Sequence, residues 1–148
     1  MIVENHQISY RNVASKRYNF VPEEINLAIE DFEKILSEHG YHIDGKMFFS
    51  ILSDPTAEVM TAEVFLPIEE NTFTISPKEE VEFRSYFCIH PMIMTRIVDD
   101  FDQQSQMKYW ELLDYIKRHD MKQKTPVFVE YKQSHAGRTY VEMGVGVE

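Results

Sequence analysis

Glutamates alternate with aromatic residues and glycines in the strand segments predicted near the C-terminus of this 148-residue chain. If the intervening turn centres near His135, Glu130 faces Glu142 across a β-hairpin. Like charges directly opposite each other on neighbouring strands are mildly destabilising, and a cationic ligand would relieve the repulsion. The pair therefore suggests cation binding. The simpler alternative is the solvated face of an antiparallel sheet, and for any one glutamate we expect solvent exposure.

Alternation of side chains divides each predicted hairpin into two faces. The apolar face of the C-terminal hairpin should pack on the helices; it comprises Val129, Tyr131, Val141, Met143, Val145 and Val147. The opposite, mixed face comprises Phe128, Glu130, Tyr140, Glu142, Gly144 and Gly146. In an earlier hairpin the mixed face comprises Phe48, Ser50, Thr61, Glu63 and Phe65, with Ser50 opposite Glu63. Glycine in a strand often marks a close approach to the backbone. We expect the two mixed faces to form a groove where they meet.

The two hairpins belong to an internal repeat. At an offset of 79 residues, the segment 61–69 aligns with 140–148, and most of the preceding chain aligns at an offset of 80. Two copies are too few for a solenoid, and no Gly/Ser-rich linker separates them. We therefore predict that the whole chain is a single domain made of two repeats, at approximately residues 7–69 and 83–148.

Each repeat has the pattern strand–helix–strand–strand. Apolar residues three and four positions apart, such as Ile25, Ile29 and Phe32, predict the first helix, which Gly40 ends. The second helix is predicted from about Gln104 to His119. Strands are predicted at about 7–18, 47–52, 59–68, 83–98, 127–132 and 139–147. The expected fold class is α+β: an antiparallel sheet of six to eight strands, two main helices on one face, and a groove between the pseudo-two-fold halves.

Charge and composition exclude several classes of function. The formal net charge is −10, with no lysine–arginine stripe, so we expect neither nucleic-acid binding nor attachment to an anionic membrane. Cys88 is the only cysteine, which rules out an intramolecular disulfide and is typical of a reducing compartment. The N-terminus has no signal-peptide pattern, and no apolar run is long enough to span a membrane. We expect a cytoplasmic location.

No sequence motif indicates a cofactor or a metal. A P-loop, a dinucleotide fingerprint and a nucleophile elbow are all missing from the sequence. His39 and His119 are equivalent in the repeat, and each is expected to stabilise the end of a helix rather than bind a metal. Cys88 is expected to be a small buried residue rather than a nucleophile.

The segment 61–68, TAEVFLPI, resembles the closing strand of the GyrI-like effector-binding domains. The segment 109–116 and the strand after it resemble the second helix and following strand of that family, so the resemblance covers nearly the full chain. It implies duplicated strand–helix–strand–strand units and a groove that binds amphipathic, often cationic molecules. A glutamate there would supply the countercharge and aromatic rings would stack. The implied ligand-binding residues are Glu142, Glu130, Tyr140, Phe128, Tyr131, Trp110, Glu63 and Phe65.

The chain departs from that family's pattern at two places. Its second closing strand contains Gly144-Val145-Gly146-Val147, where an aromatic–aliphatic–Pro–aliphatic sequence is usual. The segment 98–101 stands where a Gly-Pro-Tyr-like turn is typical.

Three functions follow as hypotheses. The leading one is non-catalytic binding of a small amphipathic or cationic ligand. The alternative is a protein-interaction module, such as an inhibitor, an immunity-type protein or an adaptor, that presents an acidic surface to a basic partner. The third is a small-molecule hydrolase that uses Glu130 or Glu142 as a general base.

Overall fold

The computed structural model describes residues 1–148 and has the predicted α+β class, with six strands that pair antiparallel and two main helices. The predicted strand–helix–strand–strand order occurs twice. The elements are β1 (Val3–Phe20), α1 (Ile25–Glu38), β2 (Phe48–Ile51), β3 (Met60–Pro67), β4 (Glu82–Ile97), α2 (Phe101–Arg118), β5 (Gln123–Gln133) and β6 (Thr139–Val147).

Element ends differ from the predicted ones where the residue pattern is weak. β1 begins at Val3 rather than near Gln7, and β5 begins at Gln123 rather than near Val127. α2 begins at Phe101 rather than near Gln104, directly after Asp100, which has a φ of 50°. The only buried residues of α2 are Leu112 and Ile116, so no buried side chain in its first turns marks where the helix begins.

The chain divides into two compact units. The first unit comprises residues 9–88, and the second comprises residues 1–8 together with 89–148. Both boundaries fall inside long strands, because β1 and β4 each contribute to both units. The two units therefore do not coincide with the two sequence repeats, and a single domain of two repeats remains a prediction.

In the first unit, β3 pairs with β1 on one side and with β2 on the other. Ser50 lies opposite Glu63, as predicted, and Arg17 lies opposite Glu63 on the β1 side. α1 packs on β3 through its apolar stripe, in which Phe32 and Leu36 are fully buried. The helix thus covers one face of this sheet.

In the second unit, β6 pairs with β4 and with β5. Glu130 lies opposite Glu142, and Phe128 lies opposite Gly144, as predicted. α2 packs on β6. Neither helix of the protein is both long and apolar enough to cross a membrane.

Both helices end in the same way. His39 and His119 follow the last helical residues, and each ring Nδ1 lies within hydrogen-bond distance of a carbonyl oxygen four residues earlier, at 2.8 Å and 3.0 Å. Each of these carbonyls also accepts the backbone N–H of the same histidine, so the ring adds a second contact to a carbonyl of the last helical turn. The predicted placement of both histidines at helix ends is confirmed.

The solvent exposure expected for individual glutamates on the mixed faces is wrong. Glu63, Glu130 and Glu142 are only 9%, 3% and 6% exposed. Additional strand segments cover these faces: the start of β4 in the first unit and the start of β1 in the second. The internal repeat in the sequence does not indicate that the starts of β4 and β1 cover these faces. The expected burial of Cys88 is also wrong, because it is exposed.

Candidate functional site

Four aromatic rings lie together on the mixed face of the first unit; we call Tyr10, Phe48, Phe65 and Phe87 the aromatic cluster. Phe48 stacks on Phe65 with ring centroids 4.7 Å apart and planes 3° apart, and on Tyr10 at 4.8 Å. The ring of Phe87 lies 5.4 Å from that of Phe48 and 5.0 Å from that of Phe65, tilted to both. Such contacts contribute beyond the burial of apolar area. The cluster draws residues from β1, β2, β3 and the start of β4.

One carboxylate and one guanidinium adjoin the aromatic cluster. The Arg84 Cζ atom lies 5.9 Å from the ring centroid of Phe65 and 5.7 Å from that of Phe87. Its Nη1 atom lies 3.7 Å from Glu63 Oε2 and donates to Ser15 Oγ at 3.3 Å. The side chain of Glu63 is 12% exposed and that of Arg84 is 39% exposed. A cation therefore lies between a buried carboxylate and two aromatic faces.

The paired glutamates of the second unit are held by three basic side chains. Arg96 Nε donates to Glu142 Oε2 at 2.7 Å, and Lys132 Nζ lies 3.3 Å from Glu130 Oε2. His6 Nε2 lies 3.3 Å from Glu130 Oε1 and 4.0 Å from Glu142 Oε1. The hydrogen bond to Glu142 raises the pKa of Arg96. Arg96 and Lys132 therefore offset the repulsion between the two glutamates that, from the sequence, a ligand was expected to relieve.

No aromatic ring occupies the place in the second unit that Phe65 has in the first. Phe65 faces Phe48 across the strands, whereas Gly144 faces Phe128. A Cβ atom on Gly144 would lie 3.0 Å from Met92 Cε and 3.2 Å from the backbone oxygen of Ile93. The backbone at Gly144 is therefore closely approached, as expected for a glycine in a strand, but the approaching atoms belong to the protein itself and not to a ligand.

Two groups of side chains bring possible metal ligands together. One comprises His6, Glu130 and Glu142, whose ligand atoms lie within 4.8 Å of one another. A histidine and two carboxylates are suitable zinc ligands. Arg96 and Lys132 already form ion pairs with the Oε2 atoms of these two carboxylates and so offset the negative charge that would attract a metal, and a protein without a metal remains our expectation.

The other group is His42, Glu69 and Glu70 on the surface. His42 Nδ1 lies 2.7 Å from Glu70 Oε2, and this hydrogen bond raises the pKa of His42. The pKa of Glu70 is lowered, chiefly by the backbone N–H of His42 and then by its ring. The side chains are therefore brought together by an exposed ion pair between His42 and Glu70, and no metal is needed to account for their proximity.

We expect Glu70→Gln to lower the pKa of His42 in an NMR titration of the imidazole signals. In the wild type, the histidine's contribution to stability is lost as pH rises through its raised pKa. That of Glu70 is lost as pH falls through its lowered pKa. Glu69→Gln is the control, since Glu69 acts on the ring only through its charge and raises the pKa of His42 less than Glu70 does, so this variant should lower that pKa less. An unchanged His42 pKa in Glu70→Gln would contradict the pairing.

The remaining predicted site residues do not lie together in the structure. Tyr140 is half-buried on the Glu142 face and lies close enough to Arg96 to influence its pKa. Tyr131 lies on the opposite face, where burial and the nearby charge of Asp102 in α2 raise its pKa. Trp110 is 47% exposed on α2, where its ring contacts the ring of Tyr109.

Arg84 and Phe87 are components of the site that the sequence prediction missed, and so are Tyr10 and Ser15. Arg84 and Phe87 belong to the second repeat in sequence but lie in the first unit. An alignment of the two repeats shows which residues are equivalent. It does not show which strand end covers which hairpin. Tyr10 and Ser15 lie in β1, which was predicted as a strand, without any motif that marks a site.

Several solved structures share this fold. EcmrR in its DNA complex aligns with a TM-score of 0.77 and 13% identity over 100% of this chain, which spans 57% of that chain. A hydrolase from Listeria innocua aligns with a TM-score of 0.58 and 12% identity over 98% of this chain and 92% of that one. SAV2435 bound to tetraphenylphosphonium aligns with a TM-score of 0.52 and 13% identity, over 99% of this chain and 94% of that one.

At these identities the likenesses show the fold alone, and they support the GyrI-like fold that the sequence predicted. No curated protein matches the sequence. A family model matches residues 9–148, nearly the full length. The chain belongs to the family described as Domain of unknown function (DUF5085).

Proposed function

We propose that this protein binds a small amphipathic cation, without catalysing a reaction, at Glu63 and the aromatic cluster. The observation that carries the proposal is the buried Glu63 carboxylate beside stacked aromatic rings, with the partly exposed Arg84 guanidinium over two of those rings. An organic cation gains from both groups, because a carboxylate supplies the countercharge and a ring face attracts positive charge.

Glu63 is a better ligand carboxylate than Glu142 because it is held less firmly. Arg96 contacts Glu142 at 2.7 Å, whereas Arg84 lies 3.7 Å from Glu63, beyond hydrogen-bond distance. Arg17 lies opposite Glu63 as Arg96 lies opposite Glu142, but the ion pair of Glu63 is with Arg84 and not with Arg17. Glu63 can therefore accept a new cation while its present partner is released to solvent. The proposal keeps Glu63 and Phe65 from the sequence prediction and adds Arg84 and Phe87.

The fold supports this type of function. SAV2435, which shares the fold, has been solved bound to tetraphenylphosphonium, an aromatic cation. Another protein of the fold is a hydrolase, and hydrolysis requires a positioned nucleophile or general base as well as a site for the substrate. The hydrogen bonds and ion pairs around Glu130 and Glu142 favour a fixed structural role for these carboxylates, which supports a non-catalytic protein.

We expect the wild type to bind tetraphenylphosphonium in isothermal titration calorimetry, and Glu63→Gln to weaken that binding at least tenfold. A tenfold loss corresponds to about 1.4 kcal/mol, a reasonable value for removing one partly buried countercharge. The variant keeps the size of the side chain, so the fold should persist. Triphenylphosphine oxide, which is neutral and similar in shape, should bind much more weakly than the cation.

Glu142→Gln is the matched control, since it alters the equivalent glutamate of the second unit. We expect this variant to bind tetraphenylphosphonium like the wild type. If Glu142→Gln weakens binding and Glu63→Gln does not, the site lies in the second unit. If the neutral probe binds as well as the cation, the carboxylate has no role in recognition.

A basic protein partner remains the alternative function, favoured by the formal net charge of −10. Binding of this kind would depend strongly on salt and hardly at all on Glu63, because that carboxylate is buried. A partner captured at low salt by the wild type and by Glu63→Gln alike, together with no binding of organic cations, would favour this alternative.

A further inference from the structure

The guanidinium of Arg84 is surrounded as a bound ligand would be. Nη1 lies near an acceptor, Ser15 Oγ at 3.3 Å, and near a carboxylate, Glu63 Oε2 at 3.7 Å. The faces of Phe65 and Phe87 lie 5.9 Å and 5.7 Å from its Cζ atom, within the range of cation–π attraction. These are the contacts that a planar, delocalised cation uses best.

The side chain of Arg84 can also move away from Glu63 and still keep one of its present ion-pair partners. Its Nη2 atom donates to Glu82 Oε2 at 3.2 Å, and the side chain of Glu82 is 69% exposed. The side chain of Arg84 is itself 39% exposed. A movement toward Glu82 would keep one ion pair and hydrate the rest of the guanidinium. That movement would expose the ring of Phe65, which is now only 2% exposed.

We infer that Arg84 is a built-in occupant of the site, and that the ligand which displaces it carries a planar amidinium or guanidinium group attached to an apolar body. This inference rests on the proposed function and names the chemical class of its ligand. The ligand's head would take the place of the guanidinium between Glu63, Ser15 and the two rings. Arg84 would then lower the apparent affinity by competing within the same molecule.

The test uses benzamidine, an aryl amidinium, with its neutral analogue benzamide. We expect Arg84→Ala to bind benzamidine at least tenfold more tightly than the wild type in isothermal titration calorimetry. Benzamide should bind weakly and equally to both proteins. Adding Glu63→Gln to Arg84→Ala should abolish the gain. Arg84→Gln, which retains most of the side-chain length, should gain less than Arg84→Ala, and Arg138→Ala controls for the loss of one positive charge elsewhere.

The outcomes separate this inference from the proposed function. If tetraphenylphosphonium binds in a Glu63-dependent way but Arg84→Ala gains nothing for benzamidine, the inference fails and the proposed function stands. If Arg84→Ala binds benzamidine more weakly than the wild type, Arg84 helps to hold the ligand and the inference is overturned. If neither cation binds the wild type or either Arg84 variant, both proposals fail. Circular dichroism of each variant shows whether it has kept its fold.

Discussion

Phe48→Ala should lower the free energy of unfolding by about 3–5 kcal/mol, the usual range for removing a phenylalanine from a well-packed core. Phe48 is fully buried, and its ring contacts those of Tyr10, Phe65 and Phe87. Its removal leaves a cavity at the centre of the aromatic cluster, and stacked rings on opposite sides of the gap cannot both move in to fill it. Urea denaturation followed by tryptophan fluorescence and by circular dichroism would measure the change.

Phe101→Ala is the control for this prediction, since Phe101 is 38% exposed at the start of α2. We expect that variant to lose about 1 kcal/mol or less, as is common for partly exposed positions. Phe48→Leu should fall between the two. A loss in Phe48→Ala no greater than in Phe101→Ala would mean that the cluster contributes little to stability.

Arg96→Met should lower the free energy of unfolding by about 2–3 kcal/mol, because it leaves Glu142 without its closest cation. Glu142 is 6% exposed and lies opposite Glu130 in the strand register. Breaking a fully buried ion pair costs about 3–5 kcal/mol. We expect a smaller loss because the side chain of Arg96 is 60% exposed and because His6 remains 4.0 Å from Glu142.

The double variant Arg96→Met, Glu142→Gln should regain at least half of this loss, since it removes the unpaired charge. Urea denaturation of the wild type and both variants at pH 7 would measure the effect. Equal losses in the single and double variants would show that the methionine itself, rather than the unpaired carboxylate, destabilises the fold.

The sequence was sufficient to predict the fold class, the number of helices and the hairpin registers. These depend on local periodicity and on the internal repeat, and the pairing of Glu130 with Glu142 and of Ser50 with Glu63 followed directly from them. Two of the predicted site residues, Glu63 and Phe65, are those on which the proposed function depends. Trp110 and Tyr131 were assigned by resemblance, and neither lies beside the glutamates in the structure.

The cover over the mixed faces could not be predicted in the same way. His6 and Arg84 each contact a glutamate far away in the sequence, and both come from strand ends that the periodicity describes only as strands. The pairing partner of a strand end depends on non-local geometry, which a pattern of apolar and polar residues does not encode. For this reason the burial of the glutamates is visible only in the structure, and so is the weaker hold on Glu63 than on Glu142.

The exchange of strand ends has a consequence for fragments of the chain. The two hairpins differ in what faces their glutamates, a ring at Phe65 in one and Gly144 in the other. The first repeat lacks Arg84 and Phe87, which complete the cluster around its Glu63, and the second repeat lacks His6, which lies beside Glu130. A fragment that holds either repeat alone would leave its own buried glutamate without one of its covering side chains, so we expect neither fragment to fold stably by itself.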